Sequence, residues 1–215
     1  MKQSPRRSTA LLLACAGLAL TPLAVSAQEA SAPRANTEKL MLSLALGGAS
    51  LSSDGLRDEH QSGGGFSAQL GWGFTRLFTL LADASGAVLN EDDEELVLVH
   101  FDLLGRFNFT NPGRAWVPFV DAGISARIAG QDDAVVVVDD ETQTVDLEMS
   151  GGGLTVGGGL EYYLTPAIAL GANVRWTVGE FSTVKFNYVD ADGFKLDATT
   201  TRLDLRVTCR PMKSR

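Results

Sequence analysis

The stretch from Gly151 to Val178, GGGLTVGGGLEYYLTPAIALGANVRWTV, alternates between two kinds of side chain on either side of a Thr165-Pro166 turn. One face is almost wholly apolar, with Leu154, Val156, Gly158, Leu160, Tyr162 and Leu164 before the turn and Ile168, Leu170, Ala172, Val174, Trp176 and Val178 after it. The other face carries glycines together with Glu161, Asn173 and Arg175. Because successive residues of a strand point to opposite faces, this pattern predicts a long two-faced β-hairpin.

The same alternation recurs along the chain and predicts an all-β fold of eight strands. Six further strands are indicated by apolar alternations that begin at Leu40, Phe66, Phe78, Val97, Trp116 and Leu203. The turns after predicted strands two, four and six are short, whereas the other connections are longer and polar. Two of these, at residues 134–149 and 183–196, are predicted to be hairpins that continue beyond the main sheet, the second turning at Asp190 to Gly193. Short turns at one end and long loops at the other are typical of an eight-stranded antiparallel transmembrane β-barrel of the outer-membrane type.

Periodicity alone also fits a lipocalin, which has eight alternating strands but points its apolar face inward. The balance of charge on the polar face favours the membrane barrel. Five acids meet five arginines there, and an unpaired buried charge is costly, so the polar face is predicted to enclose an ion-pair network. Its members are Asp83, Asp102, Arg106, Asp121, Arg127, Glu161, Arg175, Arg202, Asp204 and Arg206.

Aromatic residues gather near the short turns and predict an interfacial girdle on the apolar face. They are Trp72, Phe74, Phe78, Phe107, Phe109, Trp116 and Tyr162. Glycines on the polar face are expected to make room for arginine side chains in a narrow interior. The apolar face is therefore predicted to contact lipid.

The two ends of the chain differ from the barrel region at 39–209. Residues 1–27 combine a positive start, an apolar run and small residues at 25–27, which is typical of a cleaved secretory signal peptide. Residues 28–38 are predicted to be a flexible periplasmic lead-in, and residues 210–215 a short tail. Without residues 1–27 the chain has 15 Lys and Arg against 26 Asp and Glu, a net charge of −11, which argues against a nucleic-acid partner. Only Cys209 remains after cleavage, so no intrachain disulfide is expected.

Two segments, Trp116 to Ile128 (WVPFVDAGISARI) and Gly151 to Val178, resemble small outer-membrane β-barrel proteins of the OmpA-like and opacity-type superfamily. The resemblance spans about residues 39–209 and implies a place in the outer membrane. It also implies contact with outer-membrane lipid and lipopolysaccharide, and insertion by the barrel-assembly machinery. Members usually end on an aromatic residue that this machinery is thought to read, whereas here the sequence after the last predicted strand is RPMKSR.

Few residues of the sequence could serve as catalytic groups or metal ligands. The chain is therefore not expected to be an enzyme, and no metal or cofactor is expected. Of the two histidines, His60 is predicted in the first loop and His100 in the interior network. The acidic runs at Glu91 to Glu95 and 131–150 are expected to be solvated loops, with bridging by divalent cations to lipopolysaccharide phosphates as an alternative. The sequence favours a structural or surface-interacting role through these loops. Adhesion, and porin-like transport of ions or small molecules, are the alternatives.

Overall fold

The computed structural model describes residues 35–53, 61–91, 94–111, 113–138, 141–186, 189–191 and 195–211; within these, the side chains at 91, 94, 132–138, 141–146, 184, 186 and 189–191 are not described. The predicted signal peptide, residues 28–34 of the lead-in, His60 and residues 212–215 lie outside the described residues. The described chain consists of nine strands: β1 (Lys39–Ser53), β2 (Gln61–Gly73), β3 (Phe78–Glu91), β4 (Glu94–Asn108), β5 (Trp116–Val138), β6 (Glu141–Thr165), β7 (Ile168–Phe186), β8 (Val189–Ala191) and β9 (Leu196–Cys209).

Eight of these strands close into an antiparallel barrel. Each strand from β1 to β7 pairs with the next, β7 pairs with β9, and β9 returns to β1 in a register that joins Leu44 to Val207. Closure gives every strand two neighbours, so no edge is left unpaired within the barrel. The predicted fold class is confirmed, and β8 is a short addition that pairs only with the outer end of β7.

The central hairpin is the stretch that the sequence singled out. β6 and β7 pair from Leu147 and Phe186 to the turn at Thr165, with Leu154 opposite Val178 and Gly157 opposite Arg175. The Thr165 hydroxyl accepts hydrogen bonds from the backbone N–H groups of Ala167 and Ile168, at 3.2 and 3.0 Å. This side chain holds the tight turn between the two strands.

At the other end of the barrel the strands are longer than the sequence pattern suggested. Of the run Glu91 to Glu95, expected in a loop, Glu91 ends β3 and Glu94 begins β4, and these two residues pair; Asp92 and Asp93 lie outside the described residues. For Glu91, Glu94 and Glu95 the prediction of a loop was wrong, because a strand that continues past the apolar band into water can carry acidic residues.

Both hairpins predicted beyond the main sheet are present in the described residues. β5 and β6 pair out to Val138 and Glu141, and β7 pairs with β8. Asp190 and Ala191 were expected in the second turn, but they lie in β8 opposite Lys185 and Val184. Asp192 and Gly193 lie outside the described residues.

The two faces of the barrel differ as the alternation requires. Leu154 is 68% exposed and Leu205 69%, whereas Arg106 is 0% and Arg206 3% exposed. The outer surface is therefore apolar and the interior polar, the reverse of a lipocalin. No helix in the described part of the chain is long and apolar enough to cross a membrane.

Candidate functional site: a polar interior closed at both ends

All ten residues predicted for the ion-pair network lie buried inside the barrel. At its centre, Arg106 donates from Nε and Nη2 to the two oxygens of Asp121, at 2.8 and 3.1 Å, and from Nη1 to Glu161 at 3.0 Å. The guanidinium carbon also lies 3.7 Å from the centre of the Phe119 ring. Arg106 is thus fixed by a bidentate carboxylate, a second acid and an aromatic face.

Arg175 and Arg202 extend this network around the interior. Arg175 contacts Asp121 at 3.0 Å and Asp83 at 3.2 Å. Arg202 contacts Asp102 at 2.6 Å, and its Nη1 lies 3.7 Å from Asp83. Most of these pairs join strands that are not neighbours in the sheet. Asp102, for example, is on β4 and Arg202 is on β9. They tie opposite walls of the barrel together.

The other two arginines of the predicted network use mainly neutral partners. Arg206 donates to Gln69 at 2.6 Å and to the side-chain oxygen of Asn173, and Asp204 is 3.7 Å away. Arg127 donates to the Ala198 carbonyl at 3.0 Å and lies over the Phe181 ring. No carboxylate of the described residues pairs with Arg127, so the equal count of acids and arginines does not translate into five one-to-one pairs.

His100 lies in the interior, as the sequence predicts, 1% exposed. Its Nδ1 is 3.3 Å from the Ser125 hydroxyl, which donates to Asp102 at 2.5 Å. Ser125 thereby links the histidine to the ion pairs.

Two of the inward glycines make room for arginines, as expected. A Cβ on Gly157 would lie 2.7 Å from the Cγ of Arg175, and one on Gly171 would lie 3.2 Å from the Cγ of Arg206. Gly123 has a different role, because a Cβ there would lie 2.0 Å from the Leu103 carbonyl oxygen of the neighbouring strand. The strands approach too closely at that position for a side chain.

An apolar cluster, which the sequence analysis missed, fills the interior toward the longer hairpins. It consists of Ala49, Leu51, Ala87, Leu89, Leu96, Leu98, Ala129, Met149, Phe181, Leu196 and Ala198. The available signal was the loss of alternation at the outer ends of β3 and β4, where Val88-Leu89 and Leu96 to Val99 are apolar on both faces. Here one face stays on the outer surface, where Val88 is 42% and Val97 48% exposed, and the other face packs in the interior cluster.

The short-turn end of the interior is closed by residues 35–38, here called the strap. Tyr163 Oη donates to the Asn36 carbonyl at 2.9 Å, and the Thr37 hydroxyl donates to the Arg76 carbonyl at 2.7 Å. Ala35 packs against Val117, Tyr163 and Ala169. These contacts reach from the turn after β2 to strands β5, β6 and β7, so the strap lies across this end of the barrel. The sequence placed these residues in a flexible lead-in.

Arg210 completes this closure, although the sequence analysis assigned it to the tail. Its side chain is 1% exposed and donates to the Thr37 carbonyl at 3.0 Å and to Tyr163 Oη at 3.1 Å. Its Nη2 lies 4.0 Å from Glu161. With Arg210, the described residues place six arginines and five carboxylates in the interior, and the polar contacts run from His100 to the strap.

The residues predicted for the aromatic girdle lie on the outer surface. Six of them are between 43% and 61% exposed, and Tyr162 is half-buried. Six of the seven form three neighbouring pairs: Phe74 with Phe78 at 6.2 Å between ring centres, Phe107 with Phe109 at 5.2 Å, and Trp116 with Tyr162 at 4.5 Å. The pairs stand beside the three short turns.

A closed antiparallel barrel with an apolar outer surface, a polar interior and aromatic pairs near its short turns defines a membrane-spanning β-barrel of the outer-membrane class. The model of the outer membrane protein beta-barrel domain matches residues 12–206, and the chain belongs to this family. The barrel is therefore an outer-membrane protein, as the sequence predicted. In this class the short turns face the periplasm and the longer hairpins face outward.

Solved structures show the same fold at low sequence identity. Neisserial surface protein A has a TM-score of 0.60 and 16% identity, over 80% of this chain and 97% of the other. The outer membrane protein OprG of Pseudomonas aeruginosa has a TM-score of 0.52 and 10% identity, over 83% and 100%. The outer membrane protein AlkL, solved in lipid bilayers, has a TM-score of 0.51 and 11% identity, over 86% and 96%. No curated protein sequence matches the chain.

Proposed function

We propose that the chain is a non-conducting outer-membrane protein that binds basic, extended segments of other proteins through the hairpin β5–β6. The observation that carries this proposal is a two-stranded ribbon that projects beyond the barrel. The register between β5 and β4 stops at Gly130, and that between β6 and β7 begins at Leu147. The ribbon, formed by Ala134–Val138 and Glu141–Val145, has no strand partner on either outer edge in the described residues.

A two-stranded ribbon is marginally stable in water, and a third strand would add a ladder of backbone hydrogen bonds. The edge of β5 is suited to such an addition, because residues 135–138 are four consecutive valines with high strand propensity. Open strand edges of this kind are the usual template for pairing with another chain.

Charge favours a basic partner over a second copy of the same chain. Residues 131–150 contain seven acids and no Lys or Arg: Asp132, Asp133, Asp139, Asp140, Glu141, Asp146 and Glu148. Two such hairpins would repel each other, whereas a Lys-rich strand would be attracted and steered toward the edge. The non-conducting part of the proposal is supported by the filled interior, since an eight-stranded barrel is just wide enough for its own side chains.

A peptide-binding experiment tests the proposal. The purified barrel, in nanodiscs, is titrated with a fluorescent peptide of alternating Lys and Val residues and with a matched peptide in which Glu replaces Lys. We expect saturable binding of the basic peptide only, and its loss when residues 134–145 are deleted. Binding that survives this deletion would overturn the assignment to the ribbon.

A matched pair of variants separates the ribbon from the general acidity of the chain. Neutralising Asp139, Asp140 and Glu141 to their amides should weaken peptide binding about tenfold at low salt. The same three-charge change at Asp54, Asp58 and Glu59, in the connection between β1 and β2, should leave binding nearly unchanged. Equal loss in both variants would show that only net charge matters. Binding of lipopolysaccharide that requires Mg²⁺, without peptide binding, would instead assign the acids to divalent cations.

A further inference from the structure

A cleft on the outer surface lies beside the periplasmic rim, between the turns that follow β2 and β4. Its volume is about 1020 Å³, and it is lined by Phe107, Phe109, Trp116, Pro118, Tyr162 and Arg114, with smaller residues of the turn between β4 and β5. The named aromatic side chains point away from the barrel axis. The cleft therefore faces the surrounding membrane.

The walls of this rim cleft are held by the barrel itself. Trp116 and Tyr162 are directly paired across β5 and β6. The backbone of Phe109 donates to the Pro118 carbonyl at 2.8 Å, and that of Tyr163 donates to the Ala115 carbonyl at 2.9 Å. On the opposite side, the Asn108 N–H donates to the Leu77 carbonyl at 2.8 Å and fixes the neighbouring turn. The cleft is thus preorganised by backbone hydrogen bonds.

Among the described residues that line the rim cleft, Arg114 has the single charged side chain. It is exposed, and no carboxylate of the described residues pairs with it. Arg76, on the next turn along the rim, differs in this respect because it lies 3.6 Å from Glu38. A free guanidinium beside aromatic rings combines a phosphate-binding fork with a surface that suits acyl chains.

The position of the rim cleft along the barrel indicates which class of membrane lipid can occupy it. Short turns mark the periplasmic end of the barrel, so the cleft meets the periplasmic leaflet, where glycerophospholipids replace lipopolysaccharide. The arginine stands in the turn, where head groups lie, while Phe107 and Pro118 are in strands that run into the apolar band. A lipid with a phosphate at one end and acyl chains at the other matches this order.

We propose that the rim cleft binds one glycerophospholipid, with its phosphate on Arg114 and an acyl chain along Phe107, Trp116 and Pro118. An anionic head group such as that of phosphatidylglycerol is preferred, because Arg114 has no carboxylate partner among the described residues that could also hold the amine of a zwitterionic lipid. This site is independent of the β5–β6 ribbon, which stands at the other end of the barrel.

Native mass spectrometry of the whole barrel tests this proposal. The protein is delipidated in detergent, supplied with phosphatidylglycerol or phosphatidylethanolamine, and the retained lipid is counted. We expect one tightly retained phosphatidylglycerol per barrel. Arg114→Gln should reduce its retention about tenfold, because a charge-assisted hydrogen bond to phosphate is lost. The matched variant Arg76→Gln should retain it as the unchanged protein does.

A second variant tests the aromatic wall. Trp116→Ala should reduce retention of both lipids, while Trp176→Ala, an exposed tryptophan in the middle of β7 outside the cleft, should not. Heat-modifiable gel mobility checks that each variant is folded. Equal retention by the Arg114 and Arg76 variants, or several weakly held lipids in place of one, would overturn the proposal. Loss on Arg114→Gln with both lipids alike would support a phosphate site while rejecting the head-group preference.

Discussion

At the scale of single residues, the interior arginines differ in how many buried carboxylates would lose their partner if the arginine were replaced. Arg175 contacts both Asp83 and Asp121, and all three side chains are almost wholly buried. We expect Arg175→Leu to lower the free energy of unfolding by about 3–5 kcal/mol, because two carboxylates lose a buried partner. The unfolding midpoint in detergent, followed by gel mobility, measures this. The matched variant Arg76→Leu removes an exposed pair with Glu38 and should cost no more than about 1 kcal/mol.

Two glycines offer a comparison of the same substitution on the two faces of the barrel. A Cβ on Gly157 would lie 2.5 Å from the Val174 carbonyl and 2.7 Å from the Cγ of Arg175, whereas one on Gly64 meets nothing within 4 Å. Gly157→Ala should therefore destabilise the barrel by about 1–3 kcal/mol, as overpacking does, and Gly64→Ala should be nearly neutral. Unfolding midpoints that shift equally would contradict the close packing around Arg175.

The sequence predicts on which face of its strand each side chain lies, but it does not predict which side chain on another strand it contacts. Alternation places Arg202 and Asp102 on the same kind of face, because the period of a strand is two, and the balance of charge assigns that face to the interior. That these two meet depends on the size of the barrel and the stagger of its strands, since β9 and β4 are not neighbours. Arg210 is in phase with the inward residues Arg202 and Arg206, but it was assigned to the tail because the last apolar residue of the alternation is Cys209.

At the scale of elements, the strap gives Tyr163 a role that its outward neighbour lacks. Tyr163 Oη donates to the Asn36 carbonyl and accepts from Arg210, while Tyr162 faces outward beside Trp116. Tyr163→Phe should loosen the strap and raise hydrogen exchange at residues 35–38, with a loss of about 1–3 kcal/mol from the unpaired groups. Tyr162→Phe should leave this exchange unchanged. Equal hydrogen exchange at residues 35–38 in the two variants would show that Tyr163 does not hold the strap in place.

The ends of elements were the least predictable part of the fold. The number of barrel strands, their order of faces and the three short turns follow from alternation and turn residues. The outer ends of β3, β4, β5 and β6 do not, because above the membrane neither face has to be apolar and the period-two signal fades. The sequence did not predict the strap for a related reason. Asn36 and Thr37 are small polar residues whose hydrogen-bond partners are brought near them only when the barrel closes.

At the scale of the whole molecule, the interior is divided into an outer apolar cluster, a central ion-pair network and the strap. The central layer contains side-chain pairs that span the barrel, such as Arg202 to Asp102 at 2.6 Å, and the proposed non-conducting role rests on it. We therefore expect no stable conductance steps from the protein in a planar bilayer. Removal of residues 28–38, with the signal sequence kept for export, should also leave the barrel silent because the centre remains filled. Steps that arise only after this removal would show that the strap, and not the ion pairs, closes the barrel. Steps from the unchanged protein would restore the porin-like alternative.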